Sequence, residues 1–191
     1  MQSVVIRGNQ AYLPNIASSP SGPLKFNVDT QAFVNVIENA ASGTPVDAGA
    51  TKSINMHLGA RLPESGKQKI FFANPWAIAF SNQSGAGNAY VVSSGSDLLV
   101  KLNVDAAGKL DFTVGVSTTR YIDLNDPENS DTQGRNAGKN PLGIVIRGDN
   151  AYVMNYVSRN VSVVDLNIDS VTQVIETDNL PFDGSQDEQL L

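Results

Sequence analysis

The 191-residue chain has no cysteine, one histidine and one tryptophan. The missing cysteine excludes disulfides, iron–sulfur clusters, thiolate zinc sites, cysteine nucleophiles and covalent c-type haem attachment within this chain. It leaves the compartment open. Positive charge is also scarce: 13 Lys and Arg stand against 19 Asp and Glu, for a net charge of −6. The basic residues are scattered, so nothing supplies the field that would hold nucleic acid or an anionic membrane. No run of about 18 apolar residues exists, and with it goes the membrane-spanning helix. The opening stretch MQSVVIRGNQAYLPN lacks a charged region followed by an apolar one, so it is not a signal peptide. It begins directly in strand-like residues, which predicts a piece of a longer protein. At 41% hydrophobic and 17% charged, the chain is too apolar to be disordered and long enough for one domain with a sizeable core.

What is present is repetition. A shift of 140 residues places Val5-Ile6-Arg7-Gly8 on Val145-Ile146-Arg147-Gly148, Ala11-Tyr12 on Ala151-Tyr152 and Asn15 on Asn155. It also places Asn27-Val28-Asp29 on Asn167-Ile168-Asp169, and after a two-residue slip Val36-Ile37-Glu38 answers Val174-Ile175-Glu176. A third copy lies between them: Asn88-Ala89-Tyr90 matches Asn150-Ala151-Tyr152, Leu102 to Asp105 matches Leu166 to Asp169, and Asn74-Pro75 matches Asn140-Pro141. Internal repeats of this period decide the fold class before any local reading does.

Each copy reads as four short strands. An apolar run comes first (Val4 to Ile6, Ile78 to Phe80, Ile144 to Ile146), then a turn rich in Gly and Asn, then a second strand opening on Ala-Tyr. A third follows a polar turn, as in NVSVVDLNID, and a fourth is expected at Ala32 to Ile37, Leu110 to Val114 and Val171 to Ile175. β-Branched residues at period two mark the strands, and Gly, Asn, Asp and Ser mark the breaks. Gln31 to Ala40 has weak helical character, but the repeat argues for strand. The expected class is all-β and β-propeller-like, with about three four-stranded antiparallel blades. The copies cover about 3–40, 74–115 and 140–178; inserts fill about 41–73 and 116–139, and 179–191 is a polar tail. A β-sandwich with accidental similarity is the alternative, against which the ungapped match from Val4 to Asp29 argues.

Tyr152-Val153-Met154-Asn155, followed by Val161-Ser162-Val163-Val164-Asp165-Leu166, resembles the YVTN-type propeller repeat of bacterial and archaeal surface and periplasmic proteins. Tyr90-Val91-Val92-Ser93 and Tyr12-Leu13-Pro14-Asn15 are degenerate copies. The resemblance implies a propeller and an extracytoplasmic location. It assigns repeat positions to Tyr12, Tyr90, Tyr152, Asn155, Asp165, Asp29, Asp105 and Asp169. Longer proteins of this type often carry c-type haem domains, and no Cys-x-x-Cys-His is present here. The motif specifies fold, not activity.

Three blades do not close a ring, so the repeat count predicts self-association as a homodimer, union with a missing remainder of the parent protein, or flanks covered by the inserts. The second insert carries Asp123, Asn125, Asp126 and Asp131, oxygen ligands of the kind calcium takes, together with Glu128 and Asn129. Their spacing fails the EF-hand template, and a polar loop of side-chain turns is the alternative. His57 has no second histidine to work with, which predicts a structural role. Arg7 and Arg147 repeat, which predicts a positional role. Trp76 is expected in the core between blades or along a central channel. These readings favour a non-enzymatic scaffold that presents loops to a protein or small ligand. The alternative is the propeller part of a haem-associated oxidoreductase or a lactonase-like enzyme.

Overall fold

The computed structural model describes residues 3–18, 30–57, 59, 68–112 and 119–177. They form three antiparallel sheets in chain order. Sheet A runs β1 (Val5–Arg7), β2 (Gln10–Ser18), β3 (Thr30–Glu38) and β4 (Val46–Asp47), with β5 (Ile54–Asn55) also on β3. Sheet B contains β6 (Pro75–Phe80), β7 (Gly87–Ser93), β8 (Leu98–Val104), β9 (Leu110–Asp111) and β10 (Tyr121–Asp123); the last two share the edge of β8. Sheet C is the uninterrupted meander β11 (Pro141–Arg147), β12 (Asn150–Asn155), β13 (Asn160–Asp165) and β14 (Ser170–Glu176). Three 3₁₀ turns lie in the two inserts.

The strands form where alternation puts apolar side chains on both faces. Val34 and Val36 on β3, Val91 and Val92 on β7, and Leu99 and Val100 on β8 are fully buried. Two cores result. One joins sheets A and B through Tyr12, Val34, Val36, Phe80, Ala89 and Val100. The other joins sheets B and C through Tyr90, Val92, Leu99, Ala151, Val153 and Val164. Sheet B is therefore covered on both faces, and A and C are its two covers. The backbones of neighbouring sheets approach at the first strand of sheet B, with β6 against β2, the second strand of A, on one side and β11, the first strand of C, on the other. At the outer edge the 3₁₀ turn Ser130–Thr132 reaches β14.

The repeat holds at the level of single dihedrals. Asn74 and Asn140, each before a strand-opening proline, take φ of 53°. Asp97 and Arg159, each before the third strand of its sheet, take 55° and 53°. Short polar side chains tolerate this left-handed region better than most. Both prolines are followed by a register shift, so Trp76 and Leu142 are the extra residues of equivalent bulges.

The all-β class and the four-stranded copy at 140–178 stand as expected. Copy one does not. Its third strand is Thr30–Glu38, which pairs directly with β2 through Tyr12↔Val36. The structural counterpart of Val36 is thus Val163, which faces Tyr152 in the same way, and not Val174. The identity of Val36-Ile37-Glu38 with Val174-Ile175-Glu176 is a coincidence of strand composition. The outer edge of sheet A comes from the first insert, as β4 and β5. In copy two, Leu110–Asp111 of the expected fourth strand is strand and Phe112 is not, and Tyr121–Asp123 from the second insert pairs further along the same edge of β8. Residues 113–118 lie outside the described residues, as do Asp29, the rest of 19–29 and the whole tail at 179–191. No described helix is long and apolar enough to cross a membrane.

Candidate interaction surface

Each sheet has two unlike faces, and register defines them. On the tyrosine face the first three strands contribute Val5↔Tyr12↔Val36 in sheet A, Ala79↔Tyr90↔Lys101 in B and Val145↔Tyr152↔Val163 in C. On the alanine face they contribute Ile6↔Ala11↔Ile37, Phe80↔Ala89↔Leu102 and Ile146↔Ala151↔Val164. The tyrosine face of A packs on the alanine face of B, and the tyrosine face of B packs on the alanine face of C. The stack therefore has a direction, and its two ends are an alanine face on A and a tyrosine face on C. Both are apolar and open. Ile6 is 55% exposed on the first; Val145, Met154 and Ile175 are 59%, 45% and 40% exposed on the second.

Polar groups fasten the closed interfaces. Arg7 is buried, and its guanidinium donates to the carbonyls of Asn82 (2.7 Å) and Gly85 in the β6–β7 turn, across from sheet A to sheet B. The same guanidinium lies 5.1 Å from the Phe80 ring centre, a cation–π distance. Tyr12 Oη donates to Gly108 O at 2.9 Å, and its ring lies 4.6 Å from that of Phe80. Between B and C, Lys101 Nζ reaches both carboxylate oxygens of Asp169 at 2.7 and 2.8 Å. Arg147, one repeat on from Arg7, is exposed at the open end.

Three further repeat positions, Asp105, Asp165 and Asn155, hold the chain locally. Asp165 Oδ1 accepts from Asn167 N (2.8 Å) and Asp105 Oδ1 from Lys109 N (2.8 Å), so both hold turns. Asn155 is buried and donates to Asn160 Oδ1 and Ser162 Oγ, each at 2.8 Å. Asn160 in turn donates to the carbonyls of Arg135 and Ala137, tying the second insert to sheet C. Asn160 escaped the sequence reading. Its signal was available, because Asn155 and Asn160 close the two ends of one hairpin turn.

Of the calcium candidates, Asp123 and Asp126 spend one carboxylate oxygen on the N–H two residues ahead, as Asn129 does towards Asp131, so three side-chain turns follow one another. Asp123, Asp126, Glu128 and Asp169 line a cavity of about 400 Å³. No group of three acidic or histidine ligands converges among the described residues. His57 is buried and stacked on Phe71, with ring centres 5.4 Å apart. Trp76 packs against the core between sheets B and C. A larger, apolar cavity of about 640 Å³ lies against Phe33, Ile54, Leu110 and Phe112.

Burial raises the pKa of Tyr12 and Tyr90 above the ordinary phenol range, and the nearby carboxylate of Asp169 adds to the rise at Tyr90. An acid whose folded-state pKa is raised binds more protons folded than unfolded. Its contribution is therefore whole below about pH 10 and is lost as pH climbs from there towards the folded value. The unfolding free energy from urea denaturation should fall above pH 10, by up to about 1.4 kcal/mol per pH unit for each tyrosine. Tyr90→Phe should flatten that fall. An equal slope in the variant would show that Tyr90 does not titrate as its burial requires.

No family model matches the chain, and no curated protein matches it. Among solved structures it is similar to a functionally unknown protein from Desulfotomaculum acetoxidans DSM 771, with a TM-score of 0.53 at 14% identity. The match covers 93% of this chain and 42% of that one, so this chain spans less than half of its neighbour's length. At that identity the likeness concerns fold alone.

Proposed function

We propose that the chain is a three-blade segment of a β-propeller of the YVTN-repeat type, acting as a non-enzymatic scaffold outside the cytoplasm. The observation that carries this reading is the direction of the stack: three sheets follow in chain order, A laying its tyrosine face on the alanine face of B, and B laying its own on the alanine face of C. Sheets that repeat one packing relation around an axis are propeller blades, whereas the two layers of a sandwich share a single core. Close approach of β6 to β2 and to β11, each the first or second strand of its sheet, fits inner strands near an axis. The chemistry fits a scaffold as well. Arg7, Lys101, Asp105 and Asp165 use side-chain polar atoms to join sheets or hold turns, and Asn155 uses its amide N–H groups to hold a hairpin.

Two measurements test this. A crystal structure of the protein should place β1, β6 and β11 around one axis; sheets arranged as a two-layer sandwich would overturn the fold reading. Lactone and ester hydrolysis, with and without calcium, should show no turnover. Calcium-dependent turnover abolished by Asp126→Asn would replace the scaffold with an enzyme.

A further inference from the structure

The two open faces differ in kind, and each matches a face that the chain already covers. The tyrosine face of sheet C carries Val145, Tyr152 and Val163, where sheets A and B carry Val5, Tyr12, Val36 and Ala79, Tyr90, Lys101. In A and B these tyrosines are 0% and 1% exposed beneath a neighbouring alanine face. On C the matching surface lies open, with Val145 and Met154 about half exposed. At the other end, sheet A offers Ile6, Ala11 and Ile37, the counterparts of Phe80, Ala89 and Leu102, which are buried in B. The chain thus makes the same interface twice within itself and holds the two unpaired halves of a third.

We propose that the occupant of each open face is a second copy of this chain, sheet C of one copy seating on sheet A of the other. This rests on the blade reading above. Two copies related by a two-fold axis satisfy both interfaces at once and leave no sheet face open. The product has six sheets, within the usual range of four to eight blades, and the two-fold is the commonest symmetry of homo-oligomers. The geometry also assigns contacts. Tyr12 of A lies against Phe80 of B, so Tyr152 lies against Ile6 of the second copy. Arg7 reaches from A to the β6–β7 turn of B, so the exposed Arg147 reaches towards the β1–β2 turn, Gly8-Asn9, of the second copy.

The native absence of cysteine makes the test clean. In solution the full chain should have twice its 20.3 kDa mass at micromolar concentration. Val145→Asp, at a position exposed in the single chain, should weaken association at least about 100-fold by burying an unpaired charge at the interface. A chain carrying both Ile6→Cys and Tyr152→Cys should be joined to a second chain by a short bismaleimide, and neither single variant should be. A monomer at micromolar concentration overturns the proposal in favour of completion by further sheets of a longer chain, and leaves the blade reading intact. Cross-linking of the Tyr152→Cys single variant overturns it in favour of like faces meeting. Tyr12→Cys with Phe80→Cys should link within one chain whether or not copies associate; failure there removes the stack itself.

Discussion

Tyr90→Ala should destabilise the fold by about 3–5 kcal/mol, the range for truncating a large aromatic in a core. The ring is buried to 1% in the core between sheets B and C, among Val92, Leu99, Ala151, Val153 and Val164. These residues sit on β7 and β8 of sheet B and on β12 and β13 of sheet C, and backbone pairing within both sheets limits collapse into the space left behind. For a chain of this size the melting point should fall on the order of 10 °C. Tyr90→Phe keeps the ring and should cost no more than about 1 kcal/mol near neutral pH. Urea denaturation of the two variants is the check. A loss below about 1 kcal/mol for Tyr90→Ala would mean that sheets B and C do not share this core.

Asn160→Ala should cost about 3 kcal/mol, through desolvation and not through volume. Its amide accepts from Asn155 and donates to two carbonyls, Arg135 O at 2.9 Å and Ala137 O at 3.3 Å. Alanine leaves the buried Asn155 amide and Ala137 carbonyl without this partner, and a buried polar group left so costs about 1–3 kcal/mol. The effect should also be local. The segment at 134–138 loses its tie to sheet C, so trypsin should cut after Arg135 sooner than in the native protein. Unchanged cleavage together with unchanged stability would show that the amide network does not hold the insert.

These two residues mark how far the sequence could be read. Tyr90 was legible because it recurs: Ala-Tyr opens the second strand of every sheet. Asn155 was legible as part of a motif, but its purpose was not, because the residue it serves lies across a hairpin turn and the carbonyls beyond belong to an insert. Sheet C could be read complete because every neighbour in it is also a neighbour in sequence. Sheet A could not. Period-two alternation identifies strands but carries no information on their order, so Ala32 to Ile37 reads as a fourth strand where the structure has Thr30–Glu38 as the third. The edge strands β4, β5 and β10 have two or three residues each, too short for a periodic signal. They form because β3 and β8 expose unpaired backbone that passing chain can satisfy. The oxygen-rich second insert showed a real pattern with a local use, since its side chains fold its own turns.

A stack whose ends differ behaves like an arrow. Arrows joined head to tail either come full circle after a fixed number or continue without limit, and the rotation from each sheet to the next decides which. Two copies complete the circle only if six such steps add to one full turn. In the proposed dimer, substitutions that alter that rotation, at the bulges of Trp76 and Leu142 or at the Arg7 clamp, would therefore act on the topology of the assembly. They would turn a closed particle into a growing fibre without weakening a single contact between copies.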